Sequence, residues 1–147
     1  MAACEEYYHC LIACDRHWTR LPIATDATCS GLQILAGLAK DKSTAALVNV
    51  LPGERPQDAY KVIADVAKPN VPESIYPHMD RKVTKRTVMT VPYNAKPFSN
   101  RGYIRDALKE KGVEIEKDDL TETVKAVRDA MDVVVPGPMA VMKWIEA

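Results

Sequence analysis

The segment from Arg81 to Tyr93, Arg-Lys-Val-Thr-Lys-Arg-Thr-Val-Met-Thr-Val-Pro-Tyr, constrains the chain more than any other. Val83, Thr87, Val88 and Val91 recur at helical spacing, and four of the first six residues are basic (Arg81, Lys82, Lys85, Arg86). A helix satisfies that pattern when it buries the apolar strip and leaves the cations outside. Pro92 removes a backbone donor and clashes with the preceding turn, so it should kink or end the helix. Arg81, Lys85, Met89 and Tyr93 follow one another at i+4 steps and form a slowly winding row. Such a row suits a nucleotide: Arg grips phosphate oxygens as a planar fork, Lys acts as a point charge, and an aromatic ring meets a base or sugar. The plainer alternative is a solvated basic face, the commoner origin of such a cluster on composition alone.

Charge distribution decides how far that reading extends. The chain has 147 residues, 47% hydrophobic and 27% charged, which fits one globular domain or part of one. Its 20 basic and 20 acidic residues cancel, so any affinity for phosphate must be local. Residues 81 to 111 carry nine basic side chains, Arg81 to Lys111, against Asp106 and Glu110, whereas Glu114 to Glu122 is mainly acidic. There is no run of about 18 apolar residues, and Glu5 and Glu6 stand where a signal peptide would be basic and then apolar. An intracellular protein without membrane contact is expected. Cys4, Cys10, Cys14 and Cys29 do not predict a disulfide framework. Cys10, Cys14 and His17, with His9 and Cys4 nearby, raise a zinc site, but their spacing matches no strong zinc pattern and thiols packed on a helix explain it more simply.

Periodicity and punctuation predict a mostly helical chain. Residues 3 to 18 read as a helix, with Tyr7, Leu11, Cys14 and Trp18 at three- and four-residue steps. Arg20 to Asp26 alternates and contains Pro22, which predicts a short strand delivering Asp26 to its end. Thr28, Cys29 and Ser30 form a turn with capping chemistry, followed by a helix over 31–40. Residues 41–51 read as a loop with a short apolar piece, and Pro56 is placed to open a helix from about Gln57 to Ala67. Lys68 to Asp80, with Pro69, Pro72 and Pro77, reads as an irregular connection. Beyond the basic helix, 94–100 is read as a loop and 101–111 as a helix ended by Gly112. Leu120 to Val134 is a longer helix with its N-cap near Asp118 or Asp119, broken by Pro136-Gly-Pro138. Met139 to Glu146 begins another, whose Met142 and Trp144 predict a partner surface outside this stretch.

The second informative stretch is Pro22-Ile-Ala-Thr-Asp-Ala-Thr-Cys-Ser-Gly-Leu-Gln33. A carboxylate at a strand end, followed by small residues, is the arrangement two-metal phosphoryl transfer needs, although a lone aspartate there more often caps the next helix. Taken together and in this order, Asp26-Ala-Thr-Cys-Ser-Gly-Leu-Gln33 and Arg81 to Tyr93 closely resemble the first palm motif and the fingers-helix motif of the single-subunit, bacteriophage-type DNA-directed RNA polymerases, which also serve mitochondria and plastids. Weaker similarity includes Val48 to Pro52, Gln57 to Tyr60 and Met139 to Trp144.

The resemblance implies an α+β, predominantly helical fold, part of the palm and fingers of a right-hand-shaped polymerase. Residues 1–80 would derive from the palm and 81–147 from the fingers. It implies a transferase of transcription, a nucleotidyltransferase acting with magnesium on ribonucleoside triphosphates, a DNA template and an RNA product alongside the remaining polymerase segments. Asp26 would ligate both catalytic ions, with the backbone carbonyl of Ala27 assisting. Arg81 and Lys85 would hold the triphosphate, Lys85 would donate a proton to the leaving pyrophosphate, and Arg86 would lie near the phosphates or template. Met89 would lie against the base or template, Tyr93 would gate the insertion site and sense the ribose 2′-hydroxyl, and Tyr60 would stand near the active centre. The cytoplasm of a phage-infected host is the expected location, with an organelle as the alternative.

The chain departs from the family pattern at several places, among them a connection before Arg81 shorter than in many members and no promoter-reading elements. Pro92 replaces a small helix former, Asn94 replaces a common glycine, and the second metal-binding aspartate, which follows a histidine, has no counterpart; Asp129, Asp132 and Glu146 stand in other contexts. A fragment of a longer enzyme, inactive in isolation, is therefore expected. The competing reading is a non-catalytic module that binds nucleotide or nucleic acid.

Overall fold

The computed structural model describes residues 2–16, 18, 19, 21 and 27–147. Eight α-helices follow in order: α1 Ala2–Tyr7, α2 Ser30–Ala39, α3 Lys42–Leu47, α4 Ala59–Ala67, α5 Arg81–Thr90, α6 Pro97–Lys109, α7 Lys117–Val134 and α8 Pro136–Glu146. No strand occurs among the described residues. The strand expected over 20–26, and with it Asp26, falls almost wholly outside them. None of these helices is long and apolar enough to cross a membrane.

The core forms where the apolar stripes of α4, α5, α6 and α7 converge. α7 packs on α4, α5 and α6, while α2 lies against α8. Val83 and Val88 from α5, Ile63 from α4, Ile104 and Leu108 from α6, and Val127 and Met131 from α7 are fully buried. Burial of each such side chain contributes about 1.5–3 kcal/mol. Across position 80/81, α2 packs on α8 and α4 on α7, and one apolar cluster includes residues from both sides.

Several expectations are corrected at element boundaries. The helix expected over 3–18 is α1 continued by one wide turn over Tyr8–Ile12, and residues 14–16 are no longer helical. The loop expected over 41–51 contains α3, because Asp41 caps it by accepting from the backbone of Ser43 and Thr44 at 3.0 and 3.1 Å. Asp58, rather than the region of Pro56, opens α4, accepting from Lys61 N at 3.2 Å. Short 3-10 turns at Lys68–Asn70 and Tyr76–His78 order the proline-rich connection. Pro97 opens α6 inside the stretch expected to be loop, and Pro136 opens α8 immediately after the break at Val135. Both follow one rule: a proline in the first helical turn loses no hydrogen bond and is pre-set in φ. α7 starts at Lys117 after Glu116, a little before the expected cap. Gly112 ends the α6 segment with φ +75°.

Candidate functional site

Helix α5 begins where its sequence says it should. Asp80 accepts from the backbone N–H groups of Lys82 and Val83 at 3.0 and 3.2 Å, and its other oxygen meets Lys111 Nζ at 2.6 Å. Burial pushes the Asp80 carboxyl upward, but the hydrogen bond from Lys111 and those from the backbone prevail and hold it below its usual range. Val83, Thr84, Thr87 and Val88 face the core, and the Thr84 hydroxyl donates to the Tyr60 carbonyl at 3.0 Å, tying α5 to α4. Arg81, Lys82, Lys85, Arg86 and Met89 are thereby left outside.

The end of α5 is shaped by its departures from the family pattern. Val91–Tyr93 tightens into a 3-10 turn containing Pro92, and Asn94 closes it in the left-handed region at φ +67°. Asn tolerates that region better than most residues, so it stands in for glycine there. Pro92 lies directly over Gly31: a Cβ added at Gly31 would sit 2.7 Å from Pro92 Cβ and 3.2 Å from Tyr93 Cε2. The Tyr93 hydroxyl is 3.0 Å from Ser30 Oγ.

The turn on the other side, Thr28-Cys29-Ser30, is held from beneath. Tyr60 Oη donates to the Thr28 carbonyl at 3.0 Å, and Gln33 Nε2 donates to Thr28 Oγ1 at 3.3 Å and to the Val48 carbonyl at 2.7 Å. No side chain caps α2, so the turn's geometry comes from these outside bonds rather than from the capping expected of Thr28, Cys29 and Ser30. Burial raises the Tyr60 phenol to about 12, so it stays protonated and remains a donor across the physiological range. Burial likewise pushes the Cys29 thiol up, keeping it a neutral wall residue.

Turn and helix enclose a cavity of about 380 Å³, walled by Thr28 to Leu32 on one side and by Lys85, Val88, Met89, Pro92 and Tyr93 on the other, with Tyr60 below. A second hollow of about 450 Å³ continues from it past Tyr60 and Lys85 to Arg81, Asp58 and Gln57. Lys85 borders both and has no carboxylate partner among the described residues. Arg81 is fixed: its Nε meets Asp58 Oδ2 at 2.5 Å and its guanidinium lies 5.5 Å from the centre of the Tyr60 ring. Burial alone would raise the Asp58 carboxyl, but the hydrogen bond from Arg81 outweighs it and holds the group below its ordinary value.

The structure therefore gathers Tyr60, Lys85, Met89 and Tyr93 around one cavity, with Ala27 bordering both it and its continuation and Arg81 at the continuation alone. Arg86 lines neither; its guanidinium lies 4.9 Å over the Tyr103 ring of α6. Sequence reasoning missed Ser30 as a partner of Tyr93 and Asp58 as a partner of Arg81, because nothing local marks a contact 63 or 23 residues away. No three His, Cys, Asp or Glu side chains among the described residues converge as a metal site, and this includes the thiols near the N-terminus; His17 lies outside them.

Comparison with known proteins assigns the chain. The sequence profile of the DNA-dependent RNA polymerase family matches residues 1–147. The mitochondrial DNA-directed RNA polymerase 1B of Nicotiana tabacum is 33% identical over 145 residues, covering 85% of this chain and 14% of the relative. The mitochondrial enzyme of Mus musculus is 33% identical over 122 residues, covering 75% and 10%. DNA-directed RNA polymerase 2A of Nicotiana tabacum is 30% identical over 147 residues, covering 86% and 44%. The chain thus spans less than half the length of each of these relatives. Relatives named for mitochondria or chloroplasts give no support to the expected phage-infected host. With two matching motifs, a profile match from end to end and these relatives, the chain belongs to the single-subunit, bacteriophage-type DNA-directed RNA polymerases.

Proposed function

We propose that this chain is the part of an organellar-type RNA polymerase that receives the incoming ribonucleoside triphosphate during DNA-templated RNA synthesis. The observation that carries the proposal is the junction of the two motifs, where Gly31 touches Pro92 and Ser30 meets Tyr93 at 3.0 Å. That junction sets the turn following Asp26 against the Lys85–Met89–Tyr93 row, with one cavity between them. In this reading the RNA 3′-hydroxyl attacks the α-phosphate and pyrophosphate leaves. Residues 1–80 descend from the palm and 81–147 from the fingers, an ancestry within one shared core rather than two separate units.

The side chains divide the work. Lys85, exposed and without a carboxylate partner among the described residues, supplies charge to the triphosphate and a proton to the departing pyrophosphate. Arg81, steadied by Asp58 through Nε, keeps its terminal N–H groups for phosphate oxygens. Met89 offers a soft apolar surface to a base, and Tyr93 reads the sugar at the mouth. Arg86 serves the template side, and its stacking on Tyr103 keeps it away from the cavity. Magnesium would be held by Asp26 with the Ala27 carbonyl assisting, and would supply charge neutralisation at the phosphates. Along the described walls the only carboxylate is Asp58, already engaged by Arg81, so those walls offer no second free carboxylate to a metal ion.

In a complete polymerase carrying this segment, Asp26→Asn is expected to abolish RNA synthesis on a primed template, and Tyr93→Phe to weaken discrimination against deoxynucleotides. Unchanged synthesis by the first variant would overturn the assignment. The incomplete carboxylate set favours one competing reading, a passive binder of nucleotide or nucleic acid. Such a protein would show salt-dependent affinity that ignores both magnesium and Asp26.

A further inference from the structure

We infer that Ser30 is a positioning residue for sugar selection, acting through the Tyr93 hydroxyl; the inference rests on the nucleotide-site reading given above. Tyr93 is 65% exposed, and its ring stands at the mouth of the cavity with little apolar packing to orient it. Ser30 Oγ, 3.0 Å away, is the side-chain partner of its hydroxyl. Ser30 is itself held rigidly. It opens α2, and the preceding turn is pinned by Tyr60 Oη on the Thr28 carbonyl and by Gln33 on Thr28 Oγ1. Gly31 then abuts Pro92, which fixes the distance between the turn and the backbone that carries Tyr93.

The hydrogen bond has two senses with different consequences. If Tyr93 donates to Ser30, the phenolic oxygen faces the cavity as an acceptor alone. If Ser30 donates, the phenol O–H is free to donate into the cavity, where a ribose 2′-hydroxyl can accept it. Either way Ser30 decides which hydrogen-bonding face Tyr93 presents and where the ring stands. A substrate lacking the 2′-hydroxyl leaves that presented group without its sugar partner, and a site built to hydrogen-bond a substrate hydroxyl discriminates against the analogue lacking it. Losing Ser30 Oγ frees the ring to swing and lets water satisfy the phenol, which removes the penalty on the deoxynucleotide.

The test is a double-mutant cycle in the complete polymerase, measuring kcat/KM for a ribonucleotide and for the matching deoxynucleotide with wild type, Ser30→Ala, Tyr93→Phe and the double variant. Ser30→Ala is expected to lower the ribose preference by about two- to tenfold, the span of one neutral hydrogen bond, chiefly by improving use of the deoxynucleotide. It should add nothing once Tyr93→Phe is present, and Ser30→Thr, which keeps the hydroxyl, should restore most of the preference. Equal preference in Ser30→Ala and wild type, a loss that adds fully to that of Tyr93→Phe, or failure of Ser30→Thr to rescue would each overturn the role of Ser30. If Tyr93→Phe itself leaves the preference unchanged, the role given to Tyr93 in the nucleotide site falls, a result distinct from the other three.

Discussion

The two ends of α2 are built from the same parts and serve opposite ends. At its start Gly31 meets Pro92; beyond its other end, Gly137 of α8 meets Asp41, where an added Cβ would lie 2.5 Å from Asp41 Cβ. Around Asp41 the carboxylate's bonding capacity is taken up internally. One carboxylate accepts from the backbones of Ser43, Thr44 and Gly137 at 3.0, 3.1 and 3.1 Å and from the hydroxyls of Ser43 and Thr44 at 2.5 and 2.6 Å. A single side chain thus caps α3 and fastens α8. Around Gly31 more is left open: Lys85 has no counter-ion among the described residues, Met89 is 43% exposed, and Tyr93, paired only with Ser30 there, lines the cavity. Spare polar capacity beside a tight backbone contact is what separates a binding mouth from a clasp.

That contrast is sharpened first by the two glycines. Gly137→Ala should overpack the clasp and destabilise the chain by about 1–3 kcal/mol, read as a lowered midpoint in thermal unfolding. Gly31→Ala presses on Pro92 and Tyr93 instead, so its larger effect should appear in nucleotide kinetics of the complete polymerase, as a raised KM. If both variants changed stability and kinetics alike, the distinction between mouth and clasp would be lost.

Asp41→Ala removes the cap and the tie to α8 together, a loss of about 1–2 kcal/mol. The pH dependence has a definite sign. Hydrogen bonds from Ser43 and Thr44, foremost among its partners, hold the folded-state carboxyl well below its usual range. Its stabilising contribution is therefore fully present above the unfolded-state value of about 3.9 and is lost only as pH falls below it. Wild type and Asp41→Ala should converge in stability in strongly acidic solution and stay apart at neutral pH, measured by denaturant titration at each pH.

The smallest effect is expected on the solvated part of the basic face. Lys82 and Glu110 form a 2.8 Å pair that is exposed on both sides. Glu110→Gln should leave the thermal midpoint unmoved in physiological salt, since screened surface pairs contribute little. A clear drop would mean that the outer row of α5 matters to folding as its inner row does.

What could be read from sequence followed how local the cause was. Helix α5, its buried strip and its tightening at Pro92 all follow from residues within a few positions of one another, and they stand as expected. Helix α3 was also written locally, in Asp41 followed by Ser43 and Thr44, but its shortness gave periodicity too little to work on. The stretch 94–100 reads as a loop and Pro136 as a breaker, yet Pro97 and Pro136 each open a helix, because a proline ring also suits the first helical turn. Within the site, the row Arg81, Lys85, Met89 and Tyr93 was legible as spacing. Its partners Asp58 and Ser30 were not, since tertiary packing alone brings them near. Arg86 shares the basic run yet stacks on Tyr103, because one residue along a helix turns a side chain by about 100° away from its neighbour.

The most direct measurement of the central claim is single-nucleotide extension on a primed template by a complete polymerase bearing Lys85→Met. The substitution keeps most of the side chain's length and its flexibility while removing the charge that faces both hollows. If this cavity holds the triphosphate, incorporation efficiency should fall by about 100-fold or more, with most of the loss in the rate at saturating nucleotide. Incorporation within about twofold of wild type would contradict the account, leaving α5 as a basic surface beside a nucleotide site located elsewhere.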